Sequence, residues 1–175
     1  TFDPQVRIGK SNSWTSRVNR GVAVHGDRVL VTVSDCRLIG LDRGTGAEVW
    51  SQLTCDPEQG YSITDAPRVG GGKVFVGNAG SESHRRNRGY VSAYAAASGE
   101  FLWRFDVTPE PSGAGGSVWS SAAIDTTRKL AFIGTGNNYY TPVSQYTDSL
   151  VALDYMTGQR KWHVQFTMND AWTTG

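Results

Sequence analysis

Apolar residues in this chain recur in short runs that alternate with polar positions, and no stretch keeps an i, i+3, i+4, i+7 stripe over three turns. The alternation predicts strands at Val22–Val24, Val29–Val33, Arg37–Leu41 and Val49-Trp50, with Gly26-Asp27 as the first turn. The same order then returns twice. The second set is Pro67–Val69, Lys73–Val76, Gly89–Tyr94 and Phe101–Phe105. The third is Ser121–Ile124, Leu130–Ile133, Ser149–Leu153 and Lys161–Phe166. Within each set one phrase is repeated: Gly40-Leu-Asp-Arg-Gly-Thr-Gly-Ala-Glu-Val-Trp50, Ala93-Tyr-Ala-Ala-Ala-Ser-Gly-Glu-Phe-Leu-Trp103 and Ala152-Leu-Asp-Tyr-Met-Thr-Gly-Gln-Arg-Lys-Trp162. The phrase's tryptophans are 53 and 59 residues apart, and self-similarity at such a period indicates a propeller or a related array. Four short strands joined by tight turns are the content of one propeller blade.

The units differ in one loop. Between the second and third strands the first unit has only Ser34–Cys36, the second has Asn78–Arg88, and the third has Thr135–Asp148. Repeat proteins carry insertions on one face, often the binding face, so these two longer loops are where function is expected. Three units cannot close a ring without leaving open sheet edges, so the expectation is an arc of a longer propeller.

Composition narrows the picture further. Glycine (21 residues) and the aromatics suit an all-β chain, and a formal net charge of +1 gives no nucleic-acid footprint. The run Arg85-Arg86-Asn87-Arg88 reads as a solvated loop. No apolar run reaches membrane-spanning length. Cys36 and Cys55 lack metal-ligand spacing, and both a disulfide between them and two free thiols stay open. His25, His84 and His163 are scattered one per unit, and neither a phosphate-binding loop nor a nucleophile elbow occurs.

Glu82 in Gly77-Asn-Ala-Gly-Ser-Glu82 and Asn137 in Gly134-Thr-Gly-Asn137 each follow the second strand of their unit. Equivalent loops of adjacent blades open at one mouth, so a carboxylate and an amide oxygen converge there, a donor set suited to a hard cation such as Ca²⁺. Gly-Asn pairs are also ordinary turn chemistry. Trp119 lies outside the repeated Trp register and could offer a flat platform to an aromatic ligand or fill a seam between blades. Arg20 precedes the first strand on the same side, suited to a carboxylate or quinone oxygen or to an inter-blade ion pair. Thr64 holds the matching place in the second unit, as a hydroxyl donor or a β-former.

The tripled phrase resembles the tryptophan docking motif of quinoprotein alcohol dehydrogenases. These are eight-bladed periplasmic propellers that oxidise alcohols with pyrroloquinoline quinone (PQQ) and a bound metal ion, usually Ca²⁺. The resemblance runs from about Asn19 to Trp172. It implies an all-β β-propeller of four-stranded blades, about three of a presumed eight. Residues 1–175 would form a partial propeller domain with units at about 20–56, 64–108 and 119–167. It also implies roles residue by residue. Arg20 in Asn19-Arg-Gly21 would contact the quinone oxygens, and Thr64 would hydrogen-bond PQQ. Ala79, Gly80 and Ser81 would supply backbone contacts. Trp119 would carry the planar quinone. Glu82 and Asn137 would be metal ligands. The substrate would be a small-molecule or polymeric alcohol, and the electron acceptor a cytochrome c or ubiquinone.

The chain departs from the family pattern in two places. Where the family has adjacent cysteines before Asn-Arg-Gly, this chain has Trp14-Thr15. Where the family has its Asp base, after a Trp, this chain reads Asp170-Ala171-Trp172-Thr173, and a threonine hydroxyl is no general base near neutral pH. With the Glu82–Arg88 loop and Asn137-Asn138-Tyr139, this leans toward a branch resembling polyvinyl-alcohol dehydrogenases. The implied activity is PQQ-dependent alcohol oxidation with calcium, or a lanthanide, as metal. The alternatives are a non-catalytic propeller scaffold and a PQQ-binding homologue without the usual base.

Overall fold

The computed structural model describes residues 1–6, 18–82 and 86–171. Trp14, Thr15 and Thr173, on which both departures from the family pattern fall, lie outside the described residues. Among the described residues, twelve strands form three antiparallel meanders. The first sheet is β1 (Val22–His25), β2 (Arg28–Thr32), β3 (Arg37–Asp42) and β4 (Glu48–Leu53). The second is β5 (Arg68–Gly70), β6 (Lys73–Gly77), β7 (Tyr90–Ala95) and β8 (Phe101–Asp106). The third is β9 (Ala123–Asp125), β10 (Leu130–Gly134), β11 (Ser149–Asp154) and β12 (Arg160–Gln165). These are the predicted strands with ends moved by a few residues, and a one-turn 3-10 helix, Pro57–Gln59, is added after the first sheet. Its cause is local: Asp56 caps it by accepting from the Glu58 N–H, and Pro57 presets the first turn.

The sheets stack face to face with their first strands, β1, β5 and β9, side by side. Two apolar seams hold them. Leu30, Leu38, Ile63, Val74, Val76 and Tyr94 lie in the seam of the first and second sheets. Phe75, Val91, Trp103, Ile133, Val151 and Leu153 lie in the seam of the second and third. β7 of the middle sheet is therefore buried along almost its whole length, whereas the last strands β4, β8 and β12 alternate toward solvent.

The repeated phrase explains the seams. In every sheet the register slips at the same place, between Gly40 and Leu41, Ala93 and Tyr94, and Ala152 and Leu153, next to the residue paired with the phrase's Trp. In the first and third sheets the turn that follows is closed by the phrase's Asp, a position held by Ala95 in the second. Asp42 Oδ1 accepts from the Gly44 and Thr45 N–H groups, and Asp154 Oδ1 accepts from Met156 and Thr157. The Thr45 hydroxyl, and after it these N–H donors, hold the Asp42 carboxyl below the ordinary carboxylate range; for Asp154 the Lys161 ammonium contributes most and the N–H groups add to it. The turn glycine has φ +73° at Gly46, +76° at Gly99 and +75° at Gly158, a region that L residues other than glycine rarely occupy. The indole of one sheet then lies on the turn of the next. A Cβ on Gly99 would sit 2.5 Å from Trp50 Cε3, and one on Gly158 would sit 2.6 Å from Trp103 Cε3. Trp103 Nε1 also donates to the Tyr155 carbonyl at 3.1 Å.

Cys36 and Cys55 form a disulfide, which resolves the reading that sequence spacing had left open. It ties the β2–β3 turn to the segment leaving β4.

Candidate functional site

Antiparallel meanders fix which loops meet. The segment before the first strand and the loop after the second strand lie at one end of each sheet, opposite the turn that carries the phrase's glycine. Arg20, Thr64 and Trp119 precede β1, β5 and β9, while Glu82 and Asn137 follow β6 and β10. All five therefore share one end.

Three of them touch. Arg20 Nη1 donates to the Thr64 carbonyl at 2.9 Å, and the Arg20 guanidinium carbon lies 5.8 Å from the centre of the Trp119 ring. Trp119 is the exposed member, with 49 % of its surface open, unlike Trp103 at 8 %. Thr64 itself is buried and contributes its carbonyl rather than its hydroxyl to the contact with Arg20. A position for Cβ on Gly136 lies 3.6 Å from Trp119 Nε1, so the Asn137 loop runs beside the indole.

The loops bearing Glu82 and Asn137 are braced by a segment that sequence reasoning passed over, Gly115-Gly116-Ser117. Ser117 Oγ accepts from the Ser81 N–H at 3.2 Å and hydrogen-bonds the Ser81 hydroxyl. The Ser117 carbonyl accepts from Gly136 N–H at 2.9 Å, and Gly116 N–H donates to the Asn137 carbonyl at 2.7 Å. Ser117 thus links the two loops, with Trp119 two residues further on. The signal available in the sequence was a glycine pair and serine outside every predicted strand.

Glu82 is exposed, and its Oε2 accepts from the Gly80 N–H at 2.9 Å. That contact holds Gly80 and Glu82 in one tight turn. Ala79 and Ser81 are buried, Ala79 pairing with Ser62 across two backbone hydrogen bonds of 2.8 and 3.1 Å. No group of three or more His, Cys, Asp or Glu side chains clusters among the described residues, so a cation here would draw on amide and backbone oxygens as well.

Acidic groups on the Asn137 side were not singled out from the sequence. Burial pushes the Tyr139 phenol up to about 12, with the Glu82 and Asp148 carboxylates adding to it. Asp148 is itself raised, first by burial and then by Asp170. Ala171 bridges Asn138, which brings the Asp170 neighbourhood to the same loop. Asp65 is the remaining surprise. It follows Thr64, is 2 % exposed, and has its carboxyl pushed up to about 7, overwhelmingly by burial.

The family profile described as "PQQ: Glucose/ethanol/alcohol dehydrogenase, beta-propeller domain" matches residues 1–174. The chain belongs to the PQQ alcohol dehydrogenase propeller family. Among its relatives, quinohemoprotein alcohol dehydrogenase ADH IIB of Pseudomonas putida is 39 % identical over 98 % of this chain and 29 % of its own length. The quinohemoprotein alcohol dehydrogenase of Comamonas testosteroni is 38 % identical over 98 % of the chain and 29 % of its own. The solved structure of the Comamonas testosteroni enzyme superposes with a TM-score of 0.86, covering 98 % of this chain and 31 % of that one. A europium-containing methanol dehydrogenase gives 0.76 at 27 % identity, covering 89 % of this chain and 33 % of that one. The chain thus spans less than a third of the length of these relatives.

Proposed function

We propose that this chain forms the part of an alcohol-oxidising quinoprotein that holds PQQ and its metal ion. The observation that carries the reading is the half-exposed Trp119 indole, flanked by the Arg20 guanidinium and bordered by the Gly136-Asn137 backbone, in a chain of this family. A half-exposed planar ring with a cation 5.8 Å from its centre suits a flat quinone whose rim carries oxygens and carboxylates. The residues fit the group: Trp119 takes its face, Arg20 its oxygens, and the Ala79-Gly80-Ser81 backbone its margin. Glu82 and Asn137 take the cation, calcium or a lanthanide, through hard oxygen donors.

When bound, the quinone accepts the two electrons of alcohol oxidation and the cation polarises it as a Lewis acid. The protein's own part is positioning and electrostatics. Arg20 is anchored by the Thr64 carbonyl, so its charge is fixed before any ligand arrives and needs little reorganisation. Ser117 fixes the spacing of the Ser81 and Asn137 loops. Asp148 and Asp170 are the described carboxylates on the Asn137 side, whereas Thr173 occupies the family's base position in the sequence. The electron acceptor is a cytochrome or a quinone. The Cys36–Cys55 disulfide supports an oxidising compartment, in keeping with a periplasmic location.

The test is reconstitution of the protein with PQQ and Ca²⁺. Binding is followed by quenching of tryptophan fluorescence, and turnover by reduction of a dye with primary, secondary and polymeric alcohols. Trp119→Ala is expected to weaken binding about tenfold or more, the loss of one stacking surface. Absence of both binding and turnover in the wild type refutes the reading.

A further inference from the structure

Asp65 is a carboxylic acid buried directly behind the candidate site, and nothing in the proposed role of the site uses it. Its backbone carbonyl accepts from the Thr32 hydroxyl at 2.7 Å, which pins the segment to β2 of the first sheet. Its Oδ2 accepts from the Gly77 N–H at 3.2 Å, at the point where β6 gives way to the Asn78–Glu82 loop. Its Oδ1 is buried and has no hydrogen-bond partner. A buried carboxylate oxygen left without a donor is costly, and the cost disappears if that oxygen carries a proton. The preceding residue, Thr64, provides the carbonyl that holds Arg20. Two cations act on the carboxyl through space: Arg20, ahead of β1, and Arg68, on β5. Both lower its proton affinity, but less than burial raises it.

We propose that Asp65 is a positioning residue of this site, which sets through Arg20 how much positive charge the site presents to its ligand. In the neutral form it leaves the Arg20 charge uncompensated for the oxygens of an anionic planar ligand. Ionised, it places a negative charge beside that guanidinium and competes with the ligand for it. Ligand binding and Asp65 protonation therefore favour each other. By reciprocity, ligand binding near neutral pH draws a proton from solvent onto Asp65. The balance point lies near neutrality because burial brings the carboxyl to about 7, where a small pH change moves its charge. The proposal rests on the reading of the site as a PQQ site.

The experiment measures PQQ affinity, by tryptophan quenching with Ca²⁺ held saturating, across pH 5.5 to 8.5 in the wild type and in Asp65→Asn. In the wild type, affinity is expected to fall by about fivefold or more as pH rises through 7, the lower range of ordinary site-to-site coupling. Asp65→Asn, which is neutral throughout, is expected to keep the low-pH affinity and lose the dependence. Calorimetry in two buffers of different ionisation enthalpy should detect the proton taken up by the wild type. A flat wild-type profile overturns the proposal without reference to any variant, and leaves the site reading standing. A wild-type slope that persists in a folded Asp65→Asn overturns it as well. Absence of quenching at every pH overturns both the proposal and the site reading.

Discussion

Gly158 and Trp103 offer a direct measure of the lock between sheets. Replacing Gly158 by Ala imposes two costs of different origin. The backbone stays at φ +75°, which costs an L residue about 1–2 kcal/mol. The new methyl also falls 2.6 Å from Trp103 Cε3 and 2.7 Å from Cδ2, well inside van der Waals contact, and overpacking of this kind adds about 1–3 kcal/mol. Gly158→Ala should therefore destabilise by about 2–5 kcal/mol. Gly46 holds the same turn position at φ +73° with nothing described within 4 Å of a Cβ, and in this chain its replacement should show the backbone cost alone. The decisive assay is a double-mutant cycle by chemical denaturation followed by circular dichroism. In a Trp103→Leu background the indole is gone, and Gly158→Ala should cost only about 1–2 kcal/mol. The coupling would then be about 1–3 kcal/mol. Additivity within about 0.5 kcal/mol would mean that indole and turn act independently, and would refute the lock.

Other outcomes follow from the same structure. Breaking the Cys36–Cys55 bond with paired serines should lower stability by about 3 kcal/mol, the chain-entropy value for a loop of this size, read as a shift in denaturation midpoint that reductant abolishes. Glu82→Gln should weaken Ca²⁺-dependent PQQ binding by about tenfold or more with no change in the far-ultraviolet spectrum. Unchanged binding would remove Glu82 from the metal site. For stability against pH, Asp65 sits at about 7 in the fold and near 3.8 when unfolded, so the folded state binds the extra proton between those values. Relative to Asp65→Asn, the wild type should therefore lose stability as pH rises from 4 through 7, by up to about 4 kcal/mol. Parallel curves for the two proteins would refute the buried-acid reading.

The sheets were legible in the sequence because they rest on period-two alternation and on a phrase whose members each have a mechanical task. Asp42 and Asp154 close the turn, Gly99 and Gly158 receive an indole, and Trp50 and Trp103 supply it. The placement of Arg20, Trp119 and Asn137 at one end of their sheets was legible from breaks in that repetition. Ser117 and Asp65 were not, because their roles depend on contacts across sheets: Ser117 is 36 residues from Ser81, and Asp65 is 33 from Thr32. Neither residue type announces burial. The disulfide was undecided for a related reason, since the 19-residue separation of the cysteines says nothing of the approach between their Cα atoms, 5.1 Å in the fold.

The ring-on-glycine lock has a consequence for specificity of assembly. It is made from the same indole and glycine at each seam, so the lock by itself does not tell one sheet from another. Trp162, 41 % exposed, is the same kind of donor as Trp50 and Trp103, and Gly46 the same kind of acceptor as Gly99 and Gly158. Sheet order must then be carried by the different apolar residues that fill each seam, by chain connectivity and by the unequal loops at the other end. At high concentration, where a neighbouring molecule competes with the chain's own next sheet, exchange of sheets between copies is the misassembly this design invites.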